Sequence, residues 1–154
     1  MKRIALAALA LLWGCGSGSS PAGRLEHYRT FATRFGETVK SGNFTAAYEM
    51  TGRPLRAKLS AEAFAAVLRQ AREKHGAATS VGVSHNTVEA DGPVGDDLGF
   101  PSEVAAKDRR ARMVVRMANG PDPINDCLYE VWINIADEGG QDRIVTVEIP
   151  GINM

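Results

Sequence analysis

The chain has 154 residues, with 18 basic side chains against 18 acidic ones and no formal net charge. That length accommodates one domain with a core of its own, and balanced charge without a basic stripe excludes a dedicated nucleic-acid binder. The one basic concentration, Lys107-Asp108-Arg109-Arg110-Ala111-Arg112, reads as a solvated turn entering a strand.

Lys2 and Arg3 precede an apolar run from Ile4 to Trp13, and a small residue and a cysteine, Gly14 and Cys15, close it. A charged start, an apolar centre and a small-residue end make a secretory signal. The run has about half of the roughly 20 residues a membrane-spanning helix needs. Its ending, Leu12-Trp13-Gly14-Cys15, resembles the lipobox of bacterial lipoproteins; leucine stands three before the cysteine and glycine one before, while Trp13 differs from the small or β-branched residue usual between them. The resemblance implies cleavage before Cys15 and acylation of the new terminus. Two or more acyl chains hold a protein stably at a membrane, where one holds it marginally. Residues 1–14 are then the signal peptide, 15–23 a flexible Gly/Ser tether, and 24–154 the folded domain. Loss of Lys2 and Arg3 leaves 16 basic residues against 18 acidic. In a two-membrane bacterium, Gly16 after the cysteine implies the periplasmic face of the outer membrane. The alternative is an ordinary signal peptide cut after Ala22, leaving a secreted protein. Acylation of Cys15 would leave Cys127 without a disulfide partner, as a small hydrophobe in the apolar register of a strand.

Along the folded part, residues 24–41 read as an amphipathic helix, with Leu25, Tyr28, Ala32, Phe35 and Val39 on one stripe. Asn43 caps a short second helix over 44–50. Gly52-Arg53-Pro54 breaks the chain, and Ser60 caps a third helix to about Lys74, with Leu59 and Phe64 spaced as a hydrophobic staple. From residue 79 the period changes to two. Val81, Val83 and His85 share a strand face, 92–101 is a loop, and strands follow at 111–118, 127–136 and 143–149. Their inward sets are Met113, Val115 and Met117; Tyr129, Val131, Ile133 and Ile135; and Val145, Val147 and Ile149. The other set is mixed, as in an antiparallel sheet with one solvated face. Gly139-Gly140 marks a hairpin turn. The fold class is therefore α+β, helices packed on a curved antiparallel sheet of about four strands.

The run Phe35…Val39-Lys40-Ser41-Gly42-Asn43-Phe44…Ala47-Tyr48, then Leu55…Leu59-Ser60…Phe64, resembles the layout of nuclear transport factor 2-like (cystatin-like cone) domains, in particular small bacterial lipoprotein members. The similarity covers residues 25–149, and a tryptophan frequent in the family's last strand is missing. The resemblance implies a cone fold. It implies no single activity, because the superfamily holds isomerases, dehydratases and non-enzymatic binding modules.

In the enzymes of that superfamily, reactive groups line the concave face of the sheet. Here that face offers His85 and Tyr129 as candidate pocket residues, general base and hydrogen-bond donor, among aliphatic and methionine side chains; Arg143 near a strand end is its other polar residue, and Glu89, toward the frayed end of its strand, is its one carboxylate. His27 reads as solvated on the first helix and His75 as a helix C-terminal residue. Asp91, Asp96 and Asp97 lack calcium-loop spacing, and no phosphate loop, zinc spacing or serine-nucleophile motif occurs, so neither metal nor other cofactor is expected. Trp132 falls in the mixed register beside Glu130 and Asn134; with Leu128, Val114 and Ile144 it is a candidate interface for a partner or a second copy, unless the 92–101 loop covers it. The leading expectation is a non-catalytic envelope lipoprotein that meets the membrane through Cys15 and binds a protein partner or small apolar ligand. The alternatives are a cone-fold enzyme using His85 and Tyr129, and a structural homodimer.

Overall fold

In the computed structural model, which describes residues 20–152, helix α1 (Pro21–Lys40) begins under Ser20, whose hydroxyl accepts the Gly23 N–H at 3.2 Å. Pro21 suits a first turn, where its missing N–H would have no helical partner. The helix thus starts three residues before the expected position and takes in residues 21–23 of the expected tether. Helix α2 (Phe44–Glu49) is capped by the Asn43 side chain, and α4 (Ala61–His75) by Ser60, as the sequence predicts. Between them lies a helix the sequence reading lacks, α3 (Arg53–Lys58). Gly52-Arg53-Pro54 reads as a chain break, but Pro54 sits in the first turn of α3, where proline costs no hydrogen bond.

Four antiparallel strands follow in sequential order: β1 (Ser80–Val88), β2 (Arg109–Ala118), β3 (Cys127–Asp137) and β4 (Asp142–Glu148). The β3–β4 hairpin closes on Gly139 and Gly140, with φ of +66° and +86° and a Glu138 N–H to Gln141 carbonyl bond of 2.8 Å. Two successive positive φ angles match the right-handed twist of the strands, and glycine adopts them without strain.

The main core gathers Tyr28, Phe35 and Val39 of α1 and Phe64 and Leu68 of α4 with the inward residues of the sheet, among them Met113, Met117 and Ile133. Helix α1 comes closest at Gly36. A methyl group there would lie 2.6 Å from Val81 Cγ1 and 2.7 Å from Val115 Cγ1, so the helix backbone itself rests on β1 and β2.

Alternation fails at one place in β4. The alternation predicts Val145, Val147 and Ile149 as the inward set, but Ile144 joins the main core while Val145 packs on the opposite side. The cause is a β-bulge: Asn134 pairs with Thr146 and Ile135 with Ile144, so one extra residue stands on β4. A one-residue insertion exchanges the faces beyond it. Val145 joins Val94, Phe100, Val104 and Ala136 in a second small core beneath the 92–104 segment.

The basic cluster at 107–112 also departs from expectation. Its arginines are anchored, not solvated: Arg109 pairs with Asp96, Arg110 with Glu89 and Asp137, and Arg112 with Glu148. Arg112 also donates to the Leu98 carbonyl, so the cluster staples the long loop to the sheet.

Substituting Gly36→Ala tests the helix–sheet approach. Alanine raises helix propensity by about 1 kcal/mol, but overpacking against stiff valines costs about 1–3 kcal/mol. The variant should unfold at lower urea concentration than wild type; an equal or higher midpoint would show that α1 can lift off freely.

Candidate functional site

Polar chemistry concentrates at the hairpin end of the sheet. Consecutive residues of α1 serve two purposes there: Tyr28 points into the core stripe, and His27 flanks it. The Tyr28 hydroxyl donates to Glu89 Oε1 at 2.6 Å, just past the end of β1. Arg110 bridges Glu89, at 3.1 Å, and Asp137, at 3.0 Å, and Asp137 accepts the Gly140 N–H at 2.8 Å. His27 Nε2 meets Asp142 Oδ2 at 2.5 Å on the other strand of the hairpin. The Tyr28–Glu89–Arg110–Asp137 chain and the separate His27–Asp142 pair tie α1, the end of β1, β2 and both hairpin strands together.

The environment of each group follows from its partners. Burial first, then the hydrogen bond to Glu89 and that residue's charge, hold the Tyr28 phenol well above its ordinary range. Asp137 is held below the usual carboxylate range by the Gly140 N–H and then by Arg110. Arg110 loses some solvation to burial, yet its carboxylate partners outweigh that and push it up.

Two open clefts flank the hairpin. One, of about 580 Å³, lies between α1, the end of α2 and residues 140–143; His27, Phe31, Arg34 and Thr38 of α1 line it at helical spacing. The other, of about 470 Å³, lies between α3 and the opposite side of the hairpin, and Glu103, Asp108, Asp137 and Glu138 line it with Arg53. Among the described residues, no group of three or more His, Cys, Asp or Glu side chains is placed to hold a metal ion.

The residues singled out in the sequence lie elsewhere. His85 is in register with Met113, and Tyr129 with Met117. That register puts them two strands apart and four residues apart along the strands, about 13 Å in the strand direction alone. They do not converge, and neither lines either cleft. Tyr129 is buried, with its ring 5.5 Å from that of His75, while Phe64, Met113 and Met117 fill the interior. Burial pushes the Tyr129 phenol up as well, opposed by Arg72.

Trp132 is half-buried. Arg112 stacks over its ring at 4.8 Å, and its Nε1 donates to Glu130 Oε2 at 2.9 Å. The apolar patch expected around it does not form: Val114 is buried, Ile144 turns to the helix side at the β4 bulge, and Leu128 packs on the main core at a register shift in β3. Cys127 is half-buried, and its thiol, donating to the Tyr129 carbonyl at 3.4 Å, is pushed up in pKa by burial and then by Glu130. Cys15 lies outside the described residues.

Compared with family models, curated proteins and solved structures, the chain matches none. The site rests on its own geometry. His27 and Asp142 are 115 positions apart, and Tyr28 and Glu89 are 61 apart, so no local spacing signals either pair. The hints the sequence offers are Glu89, the one carboxylate in the inward register, and His27 beside an inward-facing tyrosine.

Tyr28→Phe tests the network. At neutral pH it should cost about 1 kcal/mol, the worth of one hydrogen bond. Because the folded phenol titrates above its ordinary 10.0, its contribution is full below that value and is lost as pH rises beyond it. The stability gap between wild type and Tyr28→Phe should therefore shrink from pH 10 upward in urea titrations. A gap constant from pH 7 to pH 11 would refute the coupling.

Proposed function

We propose that the chain is a lipid-anchored cell-envelope protein, held through Cys15, whose α+β domain is of the nuclear transport factor 2-like cone kind. It acts as a non-catalytic binding module whose ligand or partner meets its surface. The observation that carries this reading is the filled interior. Phe64, Met113 and Met117 are 1%, 0% and 1% exposed where a cone-fold enzyme would keep its pocket, and the two candidate reactive groups stand apart. Surface clefts beside the hairpin supply the open volume instead.

The anchoring half of the proposal rests on the Leu12-Trp13-Gly14-Cys15 ending. None of the described helices is long and apolar enough to cross a membrane, which accords with attachment by acyl chains. Pro21, the first residue of α1, is six positions from Cys15. Covalent geometry therefore holds the helix start within about 20 Å of an acylated terminus.

Cys15→Ser tests it. Wild type should sediment with membranes, leave them on addition of detergent, and carry acyl mass on the peptide beginning at Cys15. The variant should move to the soluble fraction. Unchanged membrane retention of the variant, or an unmodified wild-type cysteine, would refute acylation.

A further inference from the structure

We infer that the cleft between α1, the end of α2 and the β3–β4 hairpin binds a small organic monoanion, with its oxyanion head group on Arg34 and Arg143 and its apolar body on Phe31, Ala46 and Met50. The inference rests on the surface-binding reading above and names the ligand chemistry.

Arg143 is the observation that points outward. The other four strand arginines each have a carboxylate partner: Arg109 with Asp96, Arg110 with Glu89 and Asp137, Arg112 with Glu148, and Arg116 with Glu130. Arg143 has neutral acceptors instead, the Glu49 carbonyl at 2.9 Å and Gln141 Oε1 at 2.5 Å. These bonds orient the half-buried guanidinium at the cleft without neutralising it. The Glu49 carbonyl closes α2, where a helix C-terminus favours a cation, so the charge is tolerated and held in place.

Arg34 supplies the second cation. Its guanidinium lies 5.5 Å from the Phe31 ring centroid, and it has no carboxylate partner among the described residues. Stacking on a ring face leaves the edge of a guanidinium open for the paired hydrogen bonds that carboxylates and phosphates accept. Phe31, Ala46 and Met50 provide the apolar wall beside it. A volume of about 580 Å³ falls within the usual range for small-molecule sites.

Two carboxylates limit the charge of the ligand. Asp142 is engaged by His27, and exposed Glu49 stands at the rim. With two arginines against these, the cleft suits one negative charge better than several. The cleft across the hairpin has the opposite character, four acidic residues to one arginine, so an anion distinguishes the two sides.

The test titrates the full chain with two monoanions, benzoate and benzenesulfonate, using benzyl alcohol as the neutral comparison and calorimetry as the readout. Saturable binding of at least one anion, absent for benzyl alcohol, is expected. Arg143→Gln and Arg34→Gln should each weaken it about tenfold, the scale of one charge-assisted hydrogen bond, whereas Arg69→Gln on the exposed face of α4 should leave it unchanged. Saturation by one anion alone, lost in the same variants, would identify the head group. Arg34 is exposed on α1, so Arg34→Gln retains the fold even if Arg143→Gln does not. No saturation by either anion, or equal affinity in wild type and Arg34→Gln, overturns the inference. Membrane retention through Cys15 is read independently, so either result can fail without the other.

Discussion

Helix α1 meets the sheet with no side chain between its backbone at Gly36 and the branched carbons of Val81 and Val115, and the polar end of the molecule is placed by that approach. Eight residues toward the N-terminus, about 12 Å along the helix, Tyr28 reaches Glu89 with a 2.6 Å bond that leaves no slack. One position earlier, His27 reaches the hairpin at Asp142. Raising α1 by the thickness of a methyl group would part both contacts. A glycine in mid-helix, unfavourable by propensity, is therefore what lets a helix, a strand end and a hairpin share one hydrogen-bonded set.

Most of the framework is legible in the sequence because it is encoded by short-range periodicity. Asn43 and Ser60 cap the helices they precede, and the alternating residues of β2 and β3 enter the core as the pattern predicts. Legibility ends where one residue changes the count. The bulge opposite Asn134 and Ile135 sends Ile144 inward and Val145 outward, although both are β-branched aliphatics that fit either face. Pattern alone cannot choose between them; the register of β3 does. Pro54 shows the same ambiguity, since proline both ends helices and begins them.

The polar site is less legible for a different reason. Its residues belong to four elements, and charge composition records how many ions there are without saying which meet. Balanced totals of 18 and 18 suggest a solvated surface, yet the arginines of the 107–112 cluster each have a carboxylate partner elsewhere in the chain. Side chains of Arg109 and Arg112 are 9% and 13% exposed, where screening by water is reduced and each partner matters more. Half-buried ion pairs of this kind contribute little net stability, but they fix geometry. Arg112 holds both the Leu98 carbonyl and Glu148 while its guanidinium covers Trp132, so a loop, an edge strand and an aromatic ring are set by one side chain.

The hairpin joins these themes. Asp137 and Asp142 stand directly opposite one another across the β3–β4 ladder, an arrangement of like charges that weakens a strand pair. Each has a partner from a different element: the Arg110 cation of β2 offsets Asp137, and the His27 ring of α1 hydrogen-bonds Asp142. The two carboxylates therefore face separate clefts while sharing one turn, and the Gly139-Gly140 corner keeps them at a fixed separation. Neutralising either side relieves repulsion on the other. An anion entering beside Arg143 would meet the field of Asp142, so the cleft and the Tyr28–Glu89–Arg110–Asp137 set are electrostatically joined through the hairpin even though they share no side chain.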